Sequence, residues 1–291
     1  MANTNHWQIG DVSIHRVVEM EITGGTRFIL PDATRQACLE IDWLAPHFMD
    51  ASGNLIMSIH ALVIDTGKRK ILVDTCVGND KERAIPNWSN LSTNFLADLK
   101  NLGYATESID TVLCTHLHVD HVGWNTMLVD GEWVPTFPRA RYLVAESEWQ
   151  YWQTQTETEL YGPILADSVQ PIIAAGLMDY VATNEQICEE VTLESTPGHT
   201  PGHVSVRVRS QGEEALITGD CIHHPCQMSR LEWCSSADYD ASQAMQTRNA
   251  LLAEMAESDT LVIGTHFATP TAGRVRKLEG EKPGYWFDVG G

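Results

Sequence analysis

Three histidines and one aspartate crowd into residues 116–121 of Thr115-His116-Leu117-His118-Val119-Asp120-His121. Neutral imidazole nitrogen and carboxylate oxygen are the usual ligands of zinc and similar divalent ions. In extended backbone His116 and His118 project to the same side, whereas Asp120 and His121 are neighbours, point differently and can serve a second centre. The bland alternative is a solvated loop with three incidental histidines, and the density of the cluster disfavours it. More such residues end later apolar runs. Thr196-Pro197-Gly198-His199-Thr200-Pro201-Gly202-His203 is bracketed by Gly and Pro, whose turn chemistry aims a side chain at a fixed point. Leu216-Ile217-Thr218-Gly219-Asp220 ends in Gly-Asp, and Leu261-Val262-Ile263-Gly264-Thr265-His266 ends in histidine. Each alone reads as an ordinary surface or core residue. Together, sites at the ends of four strands that contribute only His and Asp point to metal chemistry.

The elements that must position these residues follow from apolar patterning. Strands are expected at Ile59–Asp65, Lys70–Asp74, Asp110–Cys114, Arg141–Ala145, Val204–Val208 and Thr260–Ile263. Val204, Val206 and Val208 alternate with Ser205 and Arg207, the pattern of a strand with one face buried. Leu91, Phe95, Leu96, Leu99 and Leu102 share a helical face, with Gly103 as a C-terminal cap. Ala241, Ala244, Met245, Leu251, Leu252 and Met255 make a second amphipathic helix ending near Asp259. Lys68-Arg69-Lys70 reads as a polar hairpin turn. Interleaved strands and helices indicate a layered α/β fold, and with no repeat or linker the whole of 1–291 is expected to be a single domain. Residues 20–58 and 146–183 stand out. The first holds Phe28, Ile29, Leu30, Trp43, Leu44, Phe48 and Met49, and the second Trp149, Tyr151, Trp152, Tyr161 and Met178. Both are candidates for pocket wall or oligomer contact, a homodimer included, and ordinary core is the other reading.

Composition narrows the function. Lys+Arg 19 against Asp+Glu 39 gives a net charge of −20, which argues against nucleic acid or anionic membrane as a partner, because both need a basic surface. The polar start Met1-Ala2-Asn3-Thr4-Asn5-His6-Trp7-Gln8 lacks a secretory pattern, and no stretch reaches the ~20 apolar residues of a membrane span. The cysteines at 38, 76, 114, 188, 221, 226 and 234 are odd in number and scattered, the usage of free buried thiols. A cytoplasmic protein acting on a small molecule is the expectation.

The ordered set His116-X-His118-X-Asp120-His121, His199, Asp220 and His266 resembles the metallo-β-lactamase superfamily of hydrolases. Gly198-His199-Thr200-Pro201-Gly202-His203 and Val73-Asp74-Thr75 match further recurring features, and the resemblance covers roughly residues 55–270. It implies an αββα sandwich of two mixed sheets flanked by helices, with a metal site at one edge. By the same resemblance, His116, His118 and His199 would hold the first metal, Asp120, His121 and His266 the second, and Asp220 would bridge them. The implied cofactors are two divalent ions, zinc first, with manganese, iron or cobalt as alternatives. Asp220 separates this chain from lactamases that carry a cysteine at that point, and the neighbouring Cys221 reads as structural. His118 stands where flavodiiron proteins need a glutamate, which argues against oxygen or nitric-oxide reduction.

Two divalent ions against two carboxylates and a bridging hydroxide leave a net positive core, suited to attack by that hydroxide on a carbonyl or phosphoryl centre. Asp120, beyond ligating, is placed to orient the hydroxide's proton. Related acyl-homoserine lactonases carry a tyrosine three residues after the bridging aspartate. Here that position is His223, in Asp220-Cys221-Ile222-His223-His224-Pro225, which looks more like the arylesterase and organophosphate-triester branch. His223 either donates a hydrogen bond to the leaving oxygen or, with His224, only hydrogen-bonds around the site. His203 is expected to orient the His199 loop and Asp74 to support the ligands. His6, His15, His47 and His60 have no motif around them. The leading reading is a dinuclear zinc hydrolase of a small lactone or carboxylic ester. The alternatives are an organophosphate triester hydrolase and a glyoxalase II-like thioester hydrolase, the latter disfavoured by the lack of a basic cluster near the C-terminus. A nuclease is disfavoured by the charge, and a non-catalytic metal-binding protein by the intact ligand set.

Overall fold

The computed structural model describes residues 5–155, 163–280 and 284–290. Tyr161 and the start of the polar N-terminal run lie outside the described residues. The strands run in chain order as β1 (His6–Ile9), β2 (Val12–Thr23), β3 (Ile56–Asp65), β4 (Lys70–Val73), β5 (Thr111–Leu113), β6 (Thr126–Val129), β7 (Glu132–Pro135), β8 (Arg141–Ala145), β9 (Met178–Val181), β10 (Val191–Ser195), β11 (Val204–Ser210), β12 (Glu213–Ile217), β13 (Leu261–Ile263), β14 (Ala272–Lys277) and β15 (Tyr285–Asp288). They form a sheet of order β1-β2-β3-β4-β5-β8-β9, a sheet of order β10-β11-β12-β13-β14-β15, and the hairpin β6-β7. Both large sheets are mixed. In the first, β4, β5 and β8 are parallel neighbours and β3-β4 is antiparallel. In the second, β12-β13 is a parallel pair among antiparallel ones. The fold is thus mixed α/β, as the sequence pattern requires. Among the described residues the chain divides into two compact units. One is built from Met20–Ser58 and the chain from Thr183 onward, the other from His6–Glu19 and Ile59–Ala182.

Each strand expected from apolar patterning is present. The Lys68-Arg69-Lys70 turn joins β3 to β4, with Thr66 N–H donating to Arg69 O (3.0 Å). Three expectations are corrected. Ser205 and Arg207 of β11 are buried with the valines: Ser205 Oγ donates to Thr218 O (2.8 Å), and the Arg207 guanidinium is enclosed by Glu194, Glu214 and Glu254. A buried charge tolerates this only when paired, so alternation misread a strand buried on both faces. The first helix covers Phe95–Asn101 only. Leu91 forms a β-bridge with Asn79, and Leu102 is exposed. Gly103, at φ 96°, ends the helix, and Tyr104 N–H returns to Leu99 O (3.1 Å), a left-handed termination that glycine suits. The second helix, Ala241–Met255, is capped by Asp240, whose Oδ1 accepts Gln243 N–H (3.0 Å), and it stops short of Asp259.

In the unit containing Met20–Ser58, the core gathers Leu30, Leu44, Phe48, Met49, Leu251, Leu252, Val262, Phe267 and Phe287. Phe48, Phe267 and Phe287 meet as a triangle of rings, 5.3–6.3 Å between centroids. Burying each side chain of this size contributes about 1.5–3 kcal/mol. Phe28 of the same stretch is exposed. In the other unit Phe95 stacks on Trp124 (5.6 Å), and Trp149 on Tyr180 (5.9 Å). All seven cysteines are free, five of them buried.

Candidate metal centre

The sheets place the His/Asp positions by register. In the unit with the 116–121 motif, Val73 of β4 pairs with Leu113 of the parallel strand β5, so Asp74 and the motif leave the sheet at one carboxyl edge. Ligand sites in α/β sheets lie at such edges. In the other unit Ile217 of β12 pairs with Ile263 of β13, and three residues beyond each stand Asp220 and His266. Those two side chains therefore emerge side by side.

Around the first motif, His116, His118 and His121 are buried and Asp120 is half-buried. His116 Nε2 lies 3.0 Å from His118 Nδ1, with the rings edge to face. Two imidazole nitrogens this close suit a shared cation, since ligand atoms ~2.0–2.1 Å from one zinc come within a few ångströms of each other. Asp74, in the left-handed region at φ 57°, organises the loop. Its carboxylate accepts Thr115 N–H (2.8 Å) and faces His121 Nδ1 (2.9 Å). With Nδ1 so engaged, His121 Nε2 is the nitrogen left for a ligand role, and it lies 3.7 Å from Asp120 Oδ1. Thr115 Oγ1 lies 3.1 Å from His116 Nδ1. Glu148, missed in the sequence, is fully buried, accepts Leu117 N–H (3.0 Å) and Trp152 Nε1–H (2.8 Å) on one oxygen, and so sets the ring of Trp152 edge-on to His118 (5.7 Å).

In the other unit, His199 stands in the turn joining β10 to β11, where Ser195 pairs with Val204. A Cβ on Gly198, at φ 129°, would lie 2.2 Å from Ala244 N, so only glycine lets this loop rest on the helix Ala241–Met255. His199 Nδ1 lies 2.9 Å from Asp238 Oδ1, both side chains being almost fully buried. Asp238 also accepts Ser235 N–H (2.9 Å), and burial pushes its carboxyl above the ordinary value. No sequence signal marks Asp238, because in Asp238-Tyr239-Asp240 only a helix start is legible. His266 Nδ1 lies 3.0 Å from Ser58 O. Both rings thereby turn Nε2 toward Asp220: His266 Nε2 is 3.1 Å from Oδ1 and His199 Nε2 is 3.5 Å from Oδ2. One carboxylate thus gives a different oxygen to each imidazole. His203, expected to orient the His199 loop, also accepts Asp220 N–H on Nε2 (2.8 Å). A Cβ on Gly219 would lie 2.5 Å from that nitrogen.

His223 and His224 separate in role. His224 is fully buried, its Nε2 3.0 Å from Phe48 O while its Nδ1 accepts Cys226 N–H (3.1 Å). Burial pushes its pKa down to about 4, so it is a neutral core residue. His223, also buried, lies between the rings of His199 (4.8 Å) and His266 (6.1 Å). Its Nε2 is 3.3 Å from Asp220 Oδ2, and neither ring nitrogen makes a hydrogen bond among the described residues. With Asp238 and His199 it forms a compact donor group. The Cys221 thiol is buried and pushed up to about 12, in keeping with a structural role.

A family model described as the metallo-beta-lactamase superfamily matches residues 57–266. A curated relative, the beta-lactamase-like protein 2 homolog of Drosophila melanogaster, is 29% identical over 175 residues, 59% of this chain and 49% of its own. The match spans about half the length of that relative. Among solved structures, the hydrolase AbOPH in the beta lactamase superfamily superposes with TM-score 0.79 at 26% identity, covering 98% of this chain and 97% of that one. AidC, a dizinc quorum-quenching lactonase in complex with a homoserine product, superposes with TM-score 0.78 at 19% identity over 98% and 97%. A probable metal-dependent hydrolase from Staphylococcus aureus reaches 0.72 at 18% identity over 98% and 99%. The chain shares their fold. No helix among the described residues is long and apolar enough to cross a membrane.

Proposed function

Because the chain belongs to the metallo-beta-lactamase superfamily, we propose that it is a dinuclear metal-dependent hydrolase of a small lactone or carboxylic ester. By the ligand pattern of that superfamily, His116, His118 and His199 would hold one ion, Asp120, His121 and His266 the other, and Asp220 would serve both. The observation that carries this reading is the division of the Asp220 carboxylate, Oδ1 toward His266 and Oδ2 toward His199, as a ligand shared by two seats requires. Nδ1 contacts to Asp74, Asp238 and Ser58 O support it, since each leaves an Nε2 for coordination. A donor set of imidazole and carboxylate suits zinc.

Bound divalent ions supply a water acidified toward neutral pH and a Lewis acid for a carbonyl oxygen. The protein's own groups do the rest. Asp120 holds the proton of the attacking water. His223, whose ring nitrogens have no hydrogen-bonding partner among the described residues, donates to the oxygen that departs from the acyl carbon. Trp152, buried against His118, keeps bulk water from that ligand. The dizinc lactonase among the structural relatives favours lactones. The His223 donor equally suits a phenoxide, so phosphotriester hydrolysis is the second reading; a thioester of the glyoxalase II type is the third. With a net charge of −20, the substrate is a small molecule rather than nucleic acid or membrane, and the free thiols suit a reducing compartment, the cytoplasm.

Metal analysis of the purified protein, paired with a panel of lactones, aryl esters, phosphotriesters and a glutathione thioester, tests this. We expect two ions per chain and fastest turnover on lactones or esters. A protein loaded with two ions yet inert toward the whole panel would return the chain to a non-catalytic metal-binding role.

A further inference from the structure

A cavity of about 510 Å³ opens within the Met20–Ser58 stretch, and both Arg27 and Arg35 line it. Each guanidinium is held at one end. Arg27 Nε–H donates to Pro31 O (3.2 Å) and Arg35 Nε–H to Asn54 Oδ1 (2.7 Å). The terminal nitrogens of both forks have no carboxylate or carbonyl acceptor among the described residues. Other arginines of this acidic chain do: Arg83 pairs with Asp167, Arg207 with Glu194, Arg230 with Glu40 and Arg276 with Asp259. Asp50 is the acidic group beside Arg35, yet it spends its oxygens on Ser52 N–H (2.8 Å), Asn54 N–H (2.9 Å) and the Asn54 amide (2.8 Å).

The scaffold behind the forks is fixed. Gly53, at φ 82°, packs so closely that a Cβ would lie 2.7 Å from Arg35 O, whereas Gly25, at φ 69°, faces open space. The turn at 50–54 therefore braces one arginine, and a bare backbone rim leaves the cavity open near the other. Both side chains are exposed, and a guanidinium tethered at Nε and open at its two terminal nitrogens presents the planar fork that carboxylate and phosphate groups match. In a chain of net charge −20, two such forks at one cavity make a local exception.

We propose that this cavity is a binding site for a small oxyanion, a carboxylate or phosphate group taken up by the free ends of Arg27 and Arg35. The site stands apart from the metal reading and survives its failure. Phe28 and Ile29, next along from Arg27, accept hydrogen bonds from Ser236, two residues before Asp238, so the cavity wall connects to the loop that holds His199.

Calorimetric titration of the metal-loaded full chain with inorganic phosphate, acetate and succinate, each at ionic strength fixed with chloride, tests the proposal and tells the two anion sources apart. Saturable binding of phosphate or of a carboxylate is expected. Arg27→Gln and Arg35→Gln should each weaken it about tenfold, with metal content unchanged, and Arg35→Lys should weaken it too because the fork is lost. Should Arg35→Gln melt at lower temperature, Arg27→Gln carries the test. Binding of equal strength in wild type and Arg27→Gln would place the anion elsewhere, the metal centre included, and overturn the proposal. So would heat that equal chloride reproduces, or no saturable heat with any of the three.

Discussion

His203 accepts the backbone N–H of Asp220 at 2.8 Å on Nε2, while its Nδ1 faces Thr196 Oγ1 at 2.8 Å. Since Nε2 must be the acceptor, Nδ1 carries the proton, and a single neutral imidazole ties the start of the His199 loop to the turn of the bridging carboxylate. His203→Ala should weaken metal binding about 10–100-fold and cost about 1–3 kcal/mol of stability through the buried groups it abandons. Chelator competition and thermal melts read the two effects, and a variant that keeps wild-type metal affinity would remove this role.

Asp238 orients His199 from Nδ1 at 2.9 Å with its side chain almost fully buried. Asp238→Asn preserves shape but removes the charge that favours a cation beyond the ring. Metal affinity should fall about 10–100-fold while the fold persists. Equilibrium dialysis with zinc measures it; a loss of less than about twofold counts against the assignment.

His223 Nε2 lies 3.3 Å from Asp220 Oδ2, yet neither ring nitrogen makes a hydrogen bond among the described residues. His223→Phe should lower kcat about 10²–10⁴-fold, the range for a proton-donating group, and leave metal content intact. If turnover is unchanged, His223 only fills space between His199 and His266.

His224 gives the protein an acid sensitivity of its own. Its pKa is pushed from 6.5 down to about 4 by burial, so the unfolded chain takes up a proton at a pH where the folded chain does not. Stability is therefore full above pH ~6.5 and falls as the pH drops from there toward ~4, by roughly 3 kcal/mol over that window. Denaturant titrations of wild type and His224→Gln at several pH values should show a flatter acid limb in the variant. Parallel limbs would mean that other groups dominate.

Gly198→Ala should do more damage than its size suggests. The added carbon would meet Ala244 N at 2.2 Å, in a backbone at φ 129°, and strain of this kind costs on the order of 1–3 kcal/mol. Because His199 is the next residue, thermal stability and metal affinity should drop together. A fall in melting temperature with metal affinity unchanged would show that the loop relaxes without moving the ligand.

The sequence by itself determined the positions that chemistry compresses into short spacings. His116, His118, Asp120 and His121 sit within one loop, and Asp220 and His266 each follow an apolar run, so residue type, spacing and strand periodicity marked them. The core strands were legible for the same reason, because apolar runs encode burial locally. Only the tertiary structure decided what holds those groups in place. Asp74, expected as a support only through the family resemblance, meets His121 across 47 residues, while Asp238 and His199, 39 apart, and Ser58 and His266, 208 apart, carried no such sign. No local pattern signals that a carboxylate or carbonyl will meet an imidazole across such distances. Arg207 makes the same point in reverse: its alternation suggested a solvent face, and carboxylates contributed by three separate segments, Glu194, Glu214 and Glu254, made its burial tolerable. Local spacing encodes which atoms can bind, but orientation depends on contacts that exist only once distant strands are in register.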